Sequence, residues 1–490
     1  MAGIAPRPGR AARLSDASIV LCHDVAMHDV VILGGGPGGY EAALVARKAG
    51  ARVTLIERHG LGGNAVLTDV VPSKTVIATA EWRSIAERAP ELGIVAEDGA
   101  PVRTRVDLAA VNARVRALVA RQSEDIAGRL ETEGVRIVHG EGTVTPERAV
   151  AVGGEEIRGD ALLLALGARP RVLADAAPDG ERILSWTDLY SLADLPEHLI
   201  VVGSGVTGAE FAEAYSLLGS RVTLIASGDR VLPREDPEAS AMLTEVFRER
   251  GMTLVGGRAA AVARDGDDAV VVTLDDGREI RGSHCLMAVG SVPNTDGVGL
   301  EGAGIALDER GYIVVDKVSR ASAPGVYAAG DCTGVLPLAS VAAAQGRIAM
   351  AHALGDEVRP LDLGRVSSTV FTAPEIATVG SSEADLKARG IFYRVERLDL
   401  ARNPRAKMLG IDEGFVKVFG HTVTGHVLGA VIVGSRASEH VYALSLAVAN
   451  RLTVDQVAES FTVYPSLSGT TGEVVRRLHG MREDDAPHGT

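Results

Sequence analysis

Cysteine is nearly absent: 490 residues hold only Cys22, Cys285 and Cys332, too far apart to form a CxxC pair or a metal-ligand cluster. A disulfide framework and a zinc centre are thereby excluded, no metal is expected, and the usage fits a reducing, cytoplasmic location. Long apolar runs are missing too. None reaches the roughly 18–20 residues that a membrane span requires, so no span is predicted. Positive charge is also in deficit, with 50 Lys and Arg against 64 Asp and Glu for a net charge of -14, which argues against nucleic acid or an anionic membrane as partner. Near the start, Arg7, Arg10 and Arg13 precede an apolar run, Ala17 to Cys22, too short for a signal-peptide core. Residues 1–27 therefore read as a disordered extension or an upstream misassigned start, and 479–490 as a flexible tail. What is present, 46% hydrophobic and 23% charged residues, is an ordinary globular balance. Its length suggests roughly three domains, and its composition points to small-molecule chemistry.

The first legible unit is a continuous apolar strand, Asp29 to Leu33, leading into Gly34-Gly35-Gly36-Pro37-Gly38-Gly39, a helix over Tyr40 to Lys48 and a strand Arg52 to Glu57. Glycines there permit a tight turn and close approach of a pyrophosphate, and the helix N-terminus favours its charge. Glu57, 18 residues after Gly39, is placed to hydrogen-bond an adenosine ribose. The unit recurs. Leu199 to Val202 leads into Gly203-Ser204-Gly205-Val206-Thr207-Gly208, a helix to Leu218 and the strand Arg221 to Ala226, and both copies place a Glu two residues after the third glycine, Glu41 and Glu210. Ala226 stands where the first copy has Glu57. The second site therefore lacks the acid that would repel a 2'-phosphate, and Ser227 and Arg230 follow to accept one. NADPH is expected as donor alongside NADH. Two such units predict an α/β protein with FAD in the first and a pyridine nucleotide in the second.

Between them lies Gly62-Gly63-Asn64-Ala65-Val66-Leu67-Thr68-Asp69-Val70-Val71-Pro72-Ser73-Lys74, which resembles the GG-x-C-x4-C-x-P-S-K signature of the flavoprotein disulfide reductases, the family of lipoamide dehydrogenase, glutathione reductase and mercuric reductase. Ala65 and Val70 stand at its two cysteine positions. The likeness extends to Leu164-Ala165-Leu166-Gly167, similar to the segment returning from the FAD to the NAD domain, and to the matching return Ala288 to Asn294 with Gly290. Tyr327-Ala328-Ala329-Gly330-Asp331 resembles the second flavin fingerprint, whose Asp binds the ribityl chain, and the helix after Pro337-Leu338-Ala339 would face the flavin pyrimidine end. The implied FAD set is Gly34, Gly36, Pro37, Gly38, Gly39, Glu57, Arg58, Gly63, Lys74, Gly142, Ala165, Gly167, Asp331, Pro337, Leu338 and Ala339. The implied NAD(P) set is Gly203, Gly205, Val206, Thr207, Gly208, Glu210, Ser227, Arg230 and Gly290, with no aromatic gate at Val206. The implied architecture is an FAD-binding domain over 28–185 and 291–362, an NAD(P)-binding domain over 186–290 and an α+β dimerisation domain over 363–478, forming a homodimer.

Departures from the family decide the chemistry. Its HPT-x-SE segment, which supplies the base of thiol chemistry across the dimer, reads Tyr464-Pro465-Ser466-Leu467-Ser468-Gly469 here, and Glu473 lies out of register as a solvated helix residue. Nucleophile and base are both missing, so disulfide reduction is excluded. Without a C-terminal cysteine pair, mercuric ion is disfavoured too. Lys74 stands at the position near flavin N5, with Glu210 in register as its partner, so the flavin-reducing half is retained. The resemblance implies the cysteine-deficient branch of NAD(P)H quinone reductases: a flavoprotein passing electrons directly to a quinone bound against Ala65, Val66 and Val70, with Tyr464 of the other subunit bonding a quinone oxygen. A soluble pyridine nucleotide transhydrogenase, an oxygen-reducing NAD(P)H oxidase and a redox-state binder are the alternatives.

Overall fold

A computed structural model describes residues 28–480. The expected extension 1–27 and residues 481–490 lie outside the described residues. The last helix, Gly469–Gly480, continues two residues past the boundary expected at 478. Among the described residues no helix is long and apolar enough to cross a membrane.

Three five-stranded sheets organise the chain. The first is parallel, ordered Val326–Ala328, Ala161–Leu164, Asp29–Leu33, Arg52–Glu57, Arg136–His139. The second repeats the plan with Thr253–Gly256, Arg221–Ala226, His198–Val202, His284–Met287 and Ile183–Leu184. Ile183–Leu184 thus pairs with the second sheet, ahead of the boundary expected at 186. The third sheet is antiparallel, Ser367–Val370, Glu375–Gly380, Val427–Gly434, Phe415–His421 and Tyr393–Asp399, with helix Ala437–Ala449 packed on it. The central parallel strands are apolar over most of their length because both faces are covered; Ile32, Leu55, Leu163 and Leu199 are all fully buried.

The chain crosses between the nucleotide units on a two-stranded antiparallel ribbon, Ala168–Pro170 with Ser291–Pro293. Asn294 fixes this crossing, donating its side-chain amide to the Leu166 carbonyl at 2.9 Å. The outgoing and returning segments read from sequence are therefore neighbours. Helices Pro37–Lys48 and Ala339–Ala353 pack so closely that a Cβ on Gly346 would lie 2.0 Å from the Gly38 carbonyl oxygen. That contact brings the third flavin segment against the first.

Candidate active site

Both nucleotide motifs repeat one geometry. Gly34 and Gly203 take φ of +108° and +110°, and a Cβ on Gly39 or Gly208 would lie 1.9 or 1.8 Å from the carbonyl oxygen of Gly34 or Gly203. First and third glycines thus close the turn on itself. The middle glycines differ in kind. A Cβ on Gly205 would meet nothing within 4 Å, and one on Gly36 only the Gly63 Cα at 3.8 Å. Space the fold does not use is left beside two helix N-termini that carry no side-chain cap. Helix Ala339–Ala353 is likewise uncapped, whereas Asp107, Asp236, Ser382, Asn403 and Thr453 cap helices elsewhere. Free amide donors beside open space are what a pyrophosphate requires, so these residues fit a dinucleotide.

The first motif opens on a cleft of about 510 Å³. Gly34, Gly36, Pro37, Gly38, Glu57, Arg58, Gly63, Gly142, Ala165, Gly167, Asp331, Pro337 and Ala339 line it. Gly39, Leu338 and Lys74 do not. Gly39 is consumed in the turn, Leu338 spends its carbonyl on the Ala342 amide, and Lys74 reaches toward the second nucleotide unit. Glu57 is buried at the cleft end of its strand, accepting the Gly35 amide at 2.6 Å and the His59 amide at 2.8 Å. Arg58 pairs with Glu141 at 3.0 Å on the same rim. Burial pushes the Asp331 carboxyl up to about 6, with Asp69 adding to the shift.

Lys74 and Glu210, 136 residues apart, meet at 2.7 Å; the carboxylate is buried and the ammonium one quarter exposed. The second Glu210 oxygen accepts the Phe371 amide at 2.9 Å, and the Lys74 ammonium stands 5.1 Å from the centre of the Phe371 ring. Glu213, one turn on, accepts the Ala373 amide at 2.6 Å and pairs with Arg250 at 2.6 Å. The C-terminal unit thus grips the helix that carries Glu210.

In the second motif, Val206 is largely exposed and Thr207 follows it on the helix. Ala226 is buried at the strand end with Ser227 exposed after it, Arg230 is half-buried, and Gly290 has open space where a Cβ would stand.

Val66 departs from expectation, and Asp69 adds to the site. Ala65 and Val70 line the cleft, but Val66 is buried and packs against Gly62, because the short helix Gly63–Leu67 turns it inward. Tyr464, expected at the other subunit's site, is exposed away from the cleft of its own chain, beside a separate cavity of about 290 Å³ with Arg402, Asn403 and Arg476. Asp69 does line the cleft and was missed; an Asp opening a helix reads in sequence as a cap, yet this one caps nothing. Glu473 pairs at the surface with Arg476 and Arg477, as a solvated helix residue would. Neither described cysteine lines the cleft: both are fully buried, burial pushes each thiol up, and Cys332, behind the cleft wall next to Asp331, reaches about 11.

Two parallel dinucleotide-binding units sharing one Lys–Glu pair, joined to an antiparallel unit, define a two-nucleotide flavoprotein oxidoreductase. The chain belongs to the pyridine nucleotide-disulphide oxidoreductase family, whose profile matches residues 28–346 and whose dimerisation domain matches residues 366–475. It is 51% identical over 472 residues to an NAD(P)H dehydrogenase (quinone) of Mycobacterium tuberculosis, covering 93% of this chain and 94% of the relative. A dihydrolipoyl dehydrogenase of Bacillus subtilis is 32% identical over 91% of this chain and 95% of its own length. The crystal structure of LpdA from Mycobacterium tuberculosis superposes with a TM-score of 0.87 at 50% identity, covering 92% of this chain and 100% of that one. The protein is an FAD-dependent NAD(P)H oxidoreductase.

Proposed function

We propose that this protein is an NAD(P)H:quinone oxidoreductase that works without a redox disulfide. The observation carrying this reading is the wall of the cleft: where the family resemblance calls for two cysteines stand Ala65 and Val70, beside the intact Lys74–Glu210 pair. Bound FAD supplies hydride acceptance and donation. Lys74 then holds a positive charge where negative charge develops, and Glu210 fixes that ammonium through its own bond to the Phe371 amide. Two apolar side chains leave a surface suited to a flat ring. The printed name of the Mycobacterium tuberculosis relative supports the same acceptor class. NADPH is accepted as well as NADH, because Ala226 carries no carboxylate and Ser227 and Arg230 follow it. The chain works as a cytoplasmic homodimer.

Anaerobic titration with NADPH, then NADH, followed by a naphthoquinone, tests this. One equivalent should bleach the flavin without a thiolate charge-transfer band, and quinone should restore the colour at once. Reoxidation by oxygen alone would favour an oxidase, and exchange with an NAD analogue a transhydrogenase.

A further inference from the structure

Reducing a quinone to a hydroquinone takes two electrons and two protons. Bound FAD, when reduced, supplies the electrons and one proton as a hydride, so a second proton must come from elsewhere. In the resembled family a histidine handles protons at this face; here that position is Tyr464, whose phenol has a far higher ordinary pKa than an imidazole and so is a poorer proton donor at neutral pH.

The titratable groups of the cleft sort themselves by position. Glu57, Arg58, His59 and Glu141 cluster at the end of strand Arg52–Glu57, where Glu57 accepts the backbone amides of Gly35 and His59 and Arg58 pairs with Glu141. Asp331 occupies the segment resembling a ribityl ligand. One acid remains. Asp69 lines the cleft between Ala65 and Val70, at the N-cap of the helix Val70–Glu87 that carries Lys74, and its carboxylate caps no amide of that helix. An Asp at a helix N-cap normally bonds the N2 or N3 amide, so this side chain forgoes its local partner to face the cleft.

We propose that Asp69 is the catalytic acid that delivers the second proton to a quinone bound against Ala65 and Val70. This rests on the quinone reading above. Hydride transfer leaves a hydroquinone monoanion; the O–H bond of Asp69 breaks, an O–H bond forms on the anionic oxygen, and the Asp69 carboxylate regains its proton from water. The surroundings shift this acid toward its protonated form. Burial raises its carboxyl, Lys74 opposes, Glu210 reinforces, and Asp331 is coupled to it. The buried Tyr190 hydroxyl, which has no hydrogen-bond partner, also feels its charge. Lys74 and Glu210, on separate helices, act on its carboxyl, while Asp331 and Tyr190 lie close enough to respond to its charge.

Reduced holoenzyme should be reoxidised anaerobically by a benzoquinone and by ferricyanide, which takes electrons without a proton. In Asp69→Asn the ratio of quinone to ferricyanide rate should fall about tenfold or more, and Asp69→Glu should restore it to within about threefold of wild type. In wild type the quinone rate should decline as pH rises through the Asp69 pKa. Independently of turnover, the resting holoenzyme should show an infrared carbonyl band of a protonated carboxylic acid that Asp69→Asn lacks. An unchanged ratio, an equal loss in the Glu variant, or an infrared spectrum with no band missing overturns the assignment while leaving quinone reduction intact. Wild-type enzyme reoxidised by ferricyanide and not by quinone overturns both readings.

Discussion

Lys74 and Glu210 show how much one contact can decide. A buried carboxylate is tolerated only when its charge is matched and its lone pairs are occupied, and Glu210 meets both conditions with Lys74 at 2.7 Å and the Phe371 amide at 2.9 Å. Lys74→Met keeps the aliphatic stem but removes the ammonium. Anaerobic stopped-flow should then show flavin bleaching by NADPH slowed by about a hundredfold to a thousandfold, in the range measured when a single charge-stabilising donor is lost. A rate within twofold of wild type would remove Lys74 from the chemistry. This pair was legible in the sequence because each residue sits in a motif with fixed register. Asp69 was not: its type and place match a helix cap, and only the orientation of its side chain shows otherwise.

At the scale of elements, the two nucleotide motifs make opposite demands on glycines three residues apart. A Cβ on Gly208 would stand 1.8 Å from the Gly203 carbonyl oxygen, a backbone atom that cannot yield, whereas one on Gly205 would meet nothing. Gly208→Ala should therefore lower stability by about 1–3 kcal/mol or more, seen as a fall in Tm. Gly205→Ala should fold within about 0.5 kcal/mol of wild type yet weaken NADPH binding about tenfold, measured as KM or by titration. If Gly205→Ala binds NADPH as wild type does, the open space is not the pyrophosphate seat. The repeat itself was readable from strand, glycines and helix in order, but the helix start was not. Pro37, Gly38 and Gly39 are poor helix formers, so the sequence suggests Tyr40, and the helix opens at Pro37, a residue preorganised for the first turn. The antiparallel sheet over Ala259–Asp265, Ala269–Leu274 and Glu279–Gly282 went unread. Its outer strands, one mostly alanine and one of four residues with two charges, give no clear apolar period.

Across the whole molecule, the C-terminal unit is tied to the second nucleotide unit by a buried cation. Lys417, on strand Phe415–His421, meets Asp236 at 3.2 Å, Glu238 at 2.7 Å and Glu383 at 2.9 Å. Burial alone would raise the Glu383 carboxyl, but hydrogen bonds from Lys417, Lys387 and Tyr393 carry it down to about 2. A carboxylate depressed below its ordinary 4.5 stabilises the fold above that pH and loses the contribution as pH falls toward about 2. Lys417→Met should cost about 3 kcal/mol at neutral pH, because removing one partner leaves buried charge unmatched. The gap between variant and wild type should narrow as pH drops below about 4.5; denaturant melts across that window would show it. A second surface fits the proposed homodimer. Tyr442 and Leu446, one turn apart on helix Ala437–Ala449, are exposed apolar residues, and Phe461, Val463 and Tyr464 continue the exposed set along the chain. Apolar side chains exposed in such a group mark an interface, and these belong to the region matching the family's dimerisation domain. Tyr442→Lys with Leu446→Glu should convert the dimer to a monomer in light scattering. Because the proposed role of Tyr464 is in the other subunit's site, quinone reoxidation should fall in that monomer and, more modestly, in Tyr464→Phe. A double variant that stays dimeric would place the interface elsewhere, and unchanged quinone kinetics in Tyr464→Phe would leave Tyr464 with no part in the acceptor site.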